Sequence, residues 1–337
     1  MPGLSKHVKE LTGVDPQALP DALLGATAPL LLRGLVAHWP AAQAGLGSGL
    51  AASDYLRGFY RDATVGAWFG APDIGGRFFY NDDFSGFNFR AERHNLAAVL
   101  DLLDACQDDD RPPAIYVGST SVDTCLPGFR ERNDLPFGDR QPLASVWIGN
   151  RTRIAAHHDV PDNLACVVAG HRRFTLFPPD QLGNLYVGPL DLTPAGQAIS
   201  LVDFAKPDLA RFPRFEDALG TAQVAELGPG DAIFIPSLWW HHVEALDSFN
   251  VLVNYWWRQS PGYMDSPIGA LMYALMSVRD LPAEQRAAWH SLFSHYVFAS
   301  DDSAVAHIPE KARRSLGPMD EEIAREIRAQ LLKRLNR

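Results

Sequence analysis

The stretch Ile154-Ala155-Ala156-His157-His158-Asp159-Val160-Pro161-Asp162-Asn163-Leu164-Ala165-Cys166-Val167-Val168 decides how this chain is read. Its second half is a short apolar run of the length of a buried strand. Its first half carries a histidine and an aspartate two positions apart. On a strand, residues i and i+2 point to the same face, so His157 and Asp159 converge on one point while His158 points away. A metal ion held there needs a third ligand from a neighbouring strand. His171, His241 and His242 are the downstream candidates. His171 stands in the tight turn Gly170-His171-Arg172 and reads as part of a hairpin. His241 follows a strand ending at Pro236 and is flanked by Trp239 and Trp240, which suits a ligand at a barrel rim. His158 and His242 read as structural neighbours. Two imidazoles and one carboxylate form a facial set that leaves positions open for substrate and oxygen, as in non-haem Fe(II) centres.

Outward from this stretch the chain keeps its β character. Between Ala114 and Trp257, short runs rich in Val, Ile, Leu, Phe and Tyr alternate with Gly, Pro, Asn and Asp. That pattern predicts an all-β sandwich or barrel rather than a parallel βαβ sheet. Residues 180–224, with several prolines, read as a long irregular insertion. Residues 1–113 are mixed α/β. They predict a buried strand at 29–36, a helix at 53–61 capped by Ser53 or Asp54, and a helix at 95–106 with Leu96, Val99, Leu100 and Leu103 on one side. The aromatic segment from Trp68 to Phe89 reads as packing, with the wall of a substrate cleft as the alternative. Residues 261–337 turn helical. Ile268, Leu271, Met272, Leu275 and Met276 form a stripe, a second helix spans 282–297, and Ile323, Ile327, Leu331 and Leu335 mark a third over 321–337. A thin apolar stripe on a terminal helix packs on its own core or on a second subunit. The expected organisation is therefore 1–113, 114–260 and 261–337.

Bulk properties exclude several classes. Thirty basic against forty acidic residues give a formal charge of −10, which opposes sequence-independent nucleic-acid binding. No nucleic-acid partner is expected. Cys106, Cys125 and Cys166 are odd in number and widely spaced, so neither a disulfide framework nor a CxxC zinc site is indicated. The beginning of the sequence lacks a long apolar stretch, and the run at 30–35 is too short to span a bilayer. The expectation is a cytoplasmic protein without membrane contact.

The segments Ala156 through Asn163, Gly170-His171-Arg172-Arg173-Phe174, Leu176-Phe177-Pro178-Pro179 and Pro229-Gly230-Asp231 through Trp256 resemble the JmjC and cupin-like family of Fe(II)/2-oxoglutarate oxygenases. The branch they are most similar to contains the asparaginyl hydroxylase of hypoxia-inducible factor. The match is dense over residues 146–261 and weaker elsewhere. It implies a double-stranded β-helix (a jelly-roll, cupin core) with Fe(II) held by His157, Asp159 and His241. It implies 2-oxoglutarate and O₂ as co-substrates, hydroxylation of a peptide, protein side chain or small molecule, and release of succinate and CO₂. Family halogenases lack the carboxylate, so Asp159 points to hydroxylation. Tyr116, Asn163, Arg172, Asn254 and Trp256 fall on positions that line the co-substrate site. Two departures stand out: Arg172 replaces a lysine, and Ile154 replaces a threonine three residues before the first histidine. Arg173 is the alternative carboxylate ligand if the turn differs by one residue. The resemblance also implies a homodimer through the C-terminal helices. The competing reading is a non-catalytic cupin-like module that binds a metal or small molecule.

Overall fold

Eight of the apolar runs become a closed pair of sheets because each carries inward and outward residues in alternation. In chain order they are β1 (Leu143–Gly149), β2 (Arg153–His158), β3 (Asp162–Ala169), β4 (Arg172–Phe177), β5 (Gln223–Leu227), β6 (Ala232–Ile235), β7 (Trp240–Ala245) and β8 (Asn250–Trp257). The structure is a computed structural model and describes residues 6–299 and 301–336. One sheet has the antiparallel order β6-β3-β8-β1, the other β5-β4-β7-β2. Every connection crosses between the sheets except the one from β4 to β5, which carries the long insertion. This is the jelly-roll topology that the sequence predicts.

The central strand β3 shows why the chain closes. It is buried along its whole length. Leu164, Cys166 and Val168 belong to one core cluster with Ala41, Ala42, Leu56 and Val99 of flanking helices. Ala165 and Val167 belong to another with Phe174, Leu176 and Ile233 between the sheets. A two-residue period thus feeds two cores, each fully buried Leu or Val contributing about 1.5–3 kcal/mol. The helix Pro40–Gly47 lies so close to β3 that a Cβ on Gly45 would run into the Val168 carbonyl. Only glycine permits that approach.

Residues before β1 extend both sheets. Ala114–Ser121, Thr64–Gly70 and Phe89–Asn95 continue the larger sheet beyond β1, and Leu30–Arg33 and Lys9–Thr12 continue it beyond β6. Arg77–Phe78 pairs in parallel with β2. The strand expected at 29–36 is shorter than predicted, because Gly34 at φ 69° ends it. The helix expected at 53–61 runs over Gly49–Phe59. Ser48 is its cap, accepting from the Ala51 amide at 3.0 Å, while Ser53 is buried and donates to Asp104 at 2.9 Å. The helix expected at 95–106 runs over Leu96–Ala105, with Asn95 as its cap, accepting from the Ala97 amide at 2.9 Å. Inside the insertion a short helix, Phe215–Thr221, forms by burying Phe215 and Ala218; it is too short to show a period in the sequence.

The chain divides into two compact units, Met1–Gln259 and Ser260–Arg337. The second holds the helices Pro267–Ser277, Ala283–Phe293 and Glu321–Leu335, close to the predicted ones; Arg337 lies outside the described residues. Asp320 caps the last helix by accepting from Ile323 at 2.9 Å. Ile268, Leu271, Met272 and Met276 are exposed on the first of these helices. No helix among the described residues is long and apolar enough to cross a membrane.

Candidate metal centre

Antiparallel pairing of β2 and β7 sets His157 directly opposite His241. Opposed residues share a face, and the two ring centroids are 4.4 Å apart. Asp159 follows the last residue of β2 and turns its Oδ2 to within 3.6 Å of His241 Nε2. One donor atom from each of His157, Asp159 and His241 lies within 4.8 Å of the other two. His157 Nδ1 bonds the Ala155 carbonyl at 2.9 Å, and His241 Nδ1 bonds the Trp239 carbonyl at 3.0 Å. A carbonyl only accepts, so Nδ1 carries the hydrogen in each neutral ring and Nε2 keeps its lone pair. Burial and the neighbouring His157 press the pKa of His241 down to about 4, so the ring is neutral at neutral pH. Two imidazole lone pairs and one carboxylate converging in a partly open cavity are a donor set that fits a divalent first-row metal.

Local irregularities produce this convergence. The β2–β7 register shifts between His241 and Val243, which leaves one extra residue on β2 at Ala155-Ala156. This bulge turns Ile154 to the same cavity as His157 despite the odd spacing. On the other side, Leu238 holds φ at 65°, a strain on the order of 1–3 kcal/mol for a leucine. Its amide donates to the Asp159 carbonyl at 2.8 Å. The remaining histidines stand elsewhere. His158 packs edge-on to Trp240 at 4.7 Å, and burial lowers its pKa. His242 lies against Phe204 at 4.6 Å, pushed to about 3 chiefly by burial. His171 sits in its hairpin, 2.8 Å from Asp247.

The three ligand candidates open onto a cavity of about 460 Å³ that Tyr116, Asn163, Arg172, Asn254 and Trp256 also line. All five residues named from the sequence therefore meet in one place. Arg172 and Arg173 diverge, as neighbours on a strand must. Arg173 faces outward and pairs with Glu226 at 2.8 Å and Glu244 at 3.5 Å. Arg172 is only 4% exposed, and no acidic side chain among the described residues pairs with it. Its Nε has no hydrogen-bond partner, and burial draws its pKa down to about 10. A buried cation without a counter-charge is costly, and an anion entering the pocket would offset that cost. The Tyr116 hydroxyl lies in the same wall; burial pushes its pKa up, so it remains a protonated donor.

Several contributors escape sequence reading. Trp147 donates from Nε1 to Asn254 Oδ1 at 2.7 Å, and Asn254 Nδ2 donates to Asn163 Oδ1 at 3.1 Å. This relay leaves the Asn163 amide hydrogens for a ligand. The aromatic segment named from the sequence divides: Trp68 lines the cavity, while Phe78 and Phe89 pack against it and Tyr80, Phe84 and Phe87 stack together. Gln197 reaches in from the insertion and donates to Asp159 Oδ1 at 3.4 Å. Its residue type carries no signal; only the folded path of the insertion brings it there.

A family model described as "Cupin-like domain" matches residues 16–263. The chain belongs to the cupin-like family, of JmjC type. This cupin-like chain is 33% identical over 186 residues to "Lysine-specific demethylase JMJ31" of Arabidopsis thaliana, covering 50% of the chain and 33% of that protein. It is 36% identical over 127 residues to "tRNA wybutosine-synthesizing protein 5" of Homo sapiens, covering 37% of each. Against human "HSPB1-associated protein 1" it is 30% identical over 161 residues, covering 46% of the chain and 32% of that protein. The chain thus spans about a third of the length of the relatives it matches. The family and these relatives support an oxygenase-like enzyme.

Proposed function

We propose that the protein is an Fe(II)- and 2-oxoglutarate-dependent dioxygenase that hydroxylates a peptide or protein side chain or a small molecule, releasing succinate and CO₂. The observation that carries this reading is Arg172, an unpaired guanidinium in the same cavity as the His157, Asp159 and His241 donors. A module that only held a metal would have no use for a buried cation beside it. His157, Asp159 and His241 would hold Fe(II). Arg172 and the Tyr116 hydroxyl would take the far carboxylate of 2-oxoglutarate, Asn163 and Asn254 would line its chain, and Trp256 would stand behind the metal. Bound Fe(II) supplies the redox chemistry that turns 2-oxoglutarate and O₂ into succinate and CO₂ while a substrate C–H gains a hydroxyl. The protein's part is positional. Arg172 fixes the co-substrate by a charge-assisted, two-pronged contact. Ile154, Phe174, Val243 and Leu252 form apolar walls that limit water.

The net charge of −10 favours a peptide or small molecule over a polyanion, even though one relative is named for tRNA modification. Among the described residues Asp159 is the only carboxylate lining the cavity, so a free lysine ammonium would find no second counter-charge from them there. A cytoplasmic setting would keep iron ferrous and the three buried cysteines reduced. The decisive experiment is a crystal soaked with Mn(II) and N-oxalylglycine, paired with a succinate-release assay. Metal on the triad and a carboxylate on Arg172 are expected. Metal without chelating ligand at high concentration, and no succinate, would leave the binding-module reading in its place.

The oligomeric state is part of the proposal. Leu271, Met272 and Met276 on the helix Pro267–Ser277, and Trp289, Phe293 and Phe298 further on, are large apolar side chains left exposed, and exposed apolar side chains in such number point to an interaction surface. We take a second copy of the chain as its partner. Light scattering of the full chain is expected to give about twice 37.1 kDa. Leu271→Glu with Met276→Glu should shift it to the monomer while leaving the circular dichroism of the fold unchanged. A monomeric parent chain at tens of micromolar would refute the dimer.

A further inference from the structure

The carboxylate of Asp159 is held from two sides. Oδ2 faces His241 Nε2 at 3.6 Å, whereas Oδ1 accepts from Gln197 Nε2 at 3.4 Å. Gln197 belongs to none of the jelly-roll strands. It lies near the end of a loop, residues 188–199, within the long insertion between β4 and β5. That loop is fastened at its base and its middle. Gly188 donates to the Ile199 carbonyl at 2.9 Å and Leu201 to Tyr186 at 3.0 Å. The Ser200 amide donates to Ala156 at 2.7 Å, at the bulge just before His157. The Tyr80 hydroxyl donates to Leu192 at 2.6 Å. Gly196 at φ 92° turns the chain so that Ala195 and Gln197 both line the main cavity. Gln197 is the one polar side chain that this loop adds to the cavity wall.

From this geometry we propose that Gln197 is a positioning residue that keeps Asp159 a one-oxygen metal ligand. The inference rests on the metal reading above. A carboxylate with both oxygens free can swing to chelate a cation through the pair, which occupies one more position on it. The Gln197 amide occupies Oδ1 and fixes the carboxylate plane, leaving Oδ2 as the donor beside the histidines. Partners of this kind outside the ligand set commonly set metal affinity by about 10–100-fold. An amide does so without adding charge, so the site keeps the single negative charge of its ligand set. Because Gln197 sits on a loop and not on the barrel, the insertion controls the coordination state of the centre.

The test uses Co(II), whose visible absorption reports coordination number and geometry, on the full chain without co-substrate. Gln197→Leu preserves approximate volume and removes the donor. It is expected to weaken Co(II) and Mn(II) binding about 10- to 100-fold by calorimetry and to change the Co(II) d–d bands. Gln197→His, which retains an N–H donor, is expected to recover part of both. Thermal unfolding of the metal-free variants checks that each is folded. Parental affinity and spectrum in folded Gln197→Leu would overturn the positioning role alone. Failure of the parent chain to bind Co(II), or binding that His157→Ala leaves untouched, would overturn the metal reading and this role with it.

Discussion

Changing His241 to alanine is expected to remove Mn(II) and Fe(II) binding and all succinate release, with the fold retained. His241 sits opposite His157 across the β2–β7 pair, and its Nε2 is aimed by the Nδ1 bond to Trp239. Removing that nitrogen leaves one imidazole and one carboxylate, too few donors to hold a labile divalent ion at micromolar concentration. The loss should exceed the about 10–100-fold typical of a residue outside the ligand set. Thermal unfolding gives a readout independent of turnover. At a hundredfold excess over Kd, Mn(II) should stabilise the parent by about 2.7 kcal/mol and the variant not at all. His242→Leu is the matched control. His242 is buried on the next position, both its ring nitrogens lack partners, and it packs on Phe204 outside the cavity. That change should leave the Mn(II) shift intact. If His241→Ala retains the shift, or His242→Leu abolishes it, the ligand assignment fails.

What could be read in the sequence was whatever depends on strand period. His157 and Asp159 share a face because a strand alternates, and Leu164, Cys166 and Val168 part from Ala165 and Val167 for the same reason. The same rule separates Arg172 from Arg173, although the sequence left open where the turn placed them. The positions of Tyr116, Asn163, Asn254 and Trp256 come from family resemblance and not from period, since they are spread over three strands, with only Asn254 and Trp256 sharing one, and register brings them together. The rest depends on departures from regularity. Ile154 faces inward because β2 bulges at two alanines, and nothing in Ala155-Ala156 announces a bulge; it arises from how β7 pairs. Ser48 takes the cap because Ser53, the better-placed serine for the apolar run, is used instead to bond Asp104. Gln197 depends on a loop path set by Tyr80, Ser200 and Ala156, partners far from it in sequence or hidden in irregular backbone.

Arg172→Met should make the metal-free protein more stable while destroying co-substrate binding, a pairing that a structural arginine would not give. The guanidinium is almost fully enclosed, has no acidic partner among the described residues, and leaves Nε without a hydrogen bond. Its pKa, held down to about 10 by burial, means that the charged form is disfavoured by folding. That cost is present at every pH below about 10 and is relieved only above it. Methionine has similar reach and no charge, so the change should add about 1–3 kcal/mol of stability, at about 2–4 °C of midpoint per kcal/mol. Binding moves the other way. Taking one partner from a buried charge pair costs about 2–5 kcal/mol, so N-oxalylglycine affinity for the Mn(II) form should fall by about 30- to 5,000-fold. Arg172→Lys alone should also bind poorly, because a lysine supplies a point charge without the fork and Ile154 offers no hydroxyl to complete it. Adding Ile154→Thr to Arg172→Lys should recover much of the loss, since both side chains line the same cavity. Calorimetry on the four proteins, read with thermal unfolding of each without metal, separates the outcomes. A less stable Arg172→Met with parental N-oxalylglycine affinity would make Arg172 a structural residue and move the co-substrate carboxylate elsewhere. Loss of affinity with no recovery in the double variant would keep the arginine as the anchor and refute the exchange of roles between positions 154 and 172.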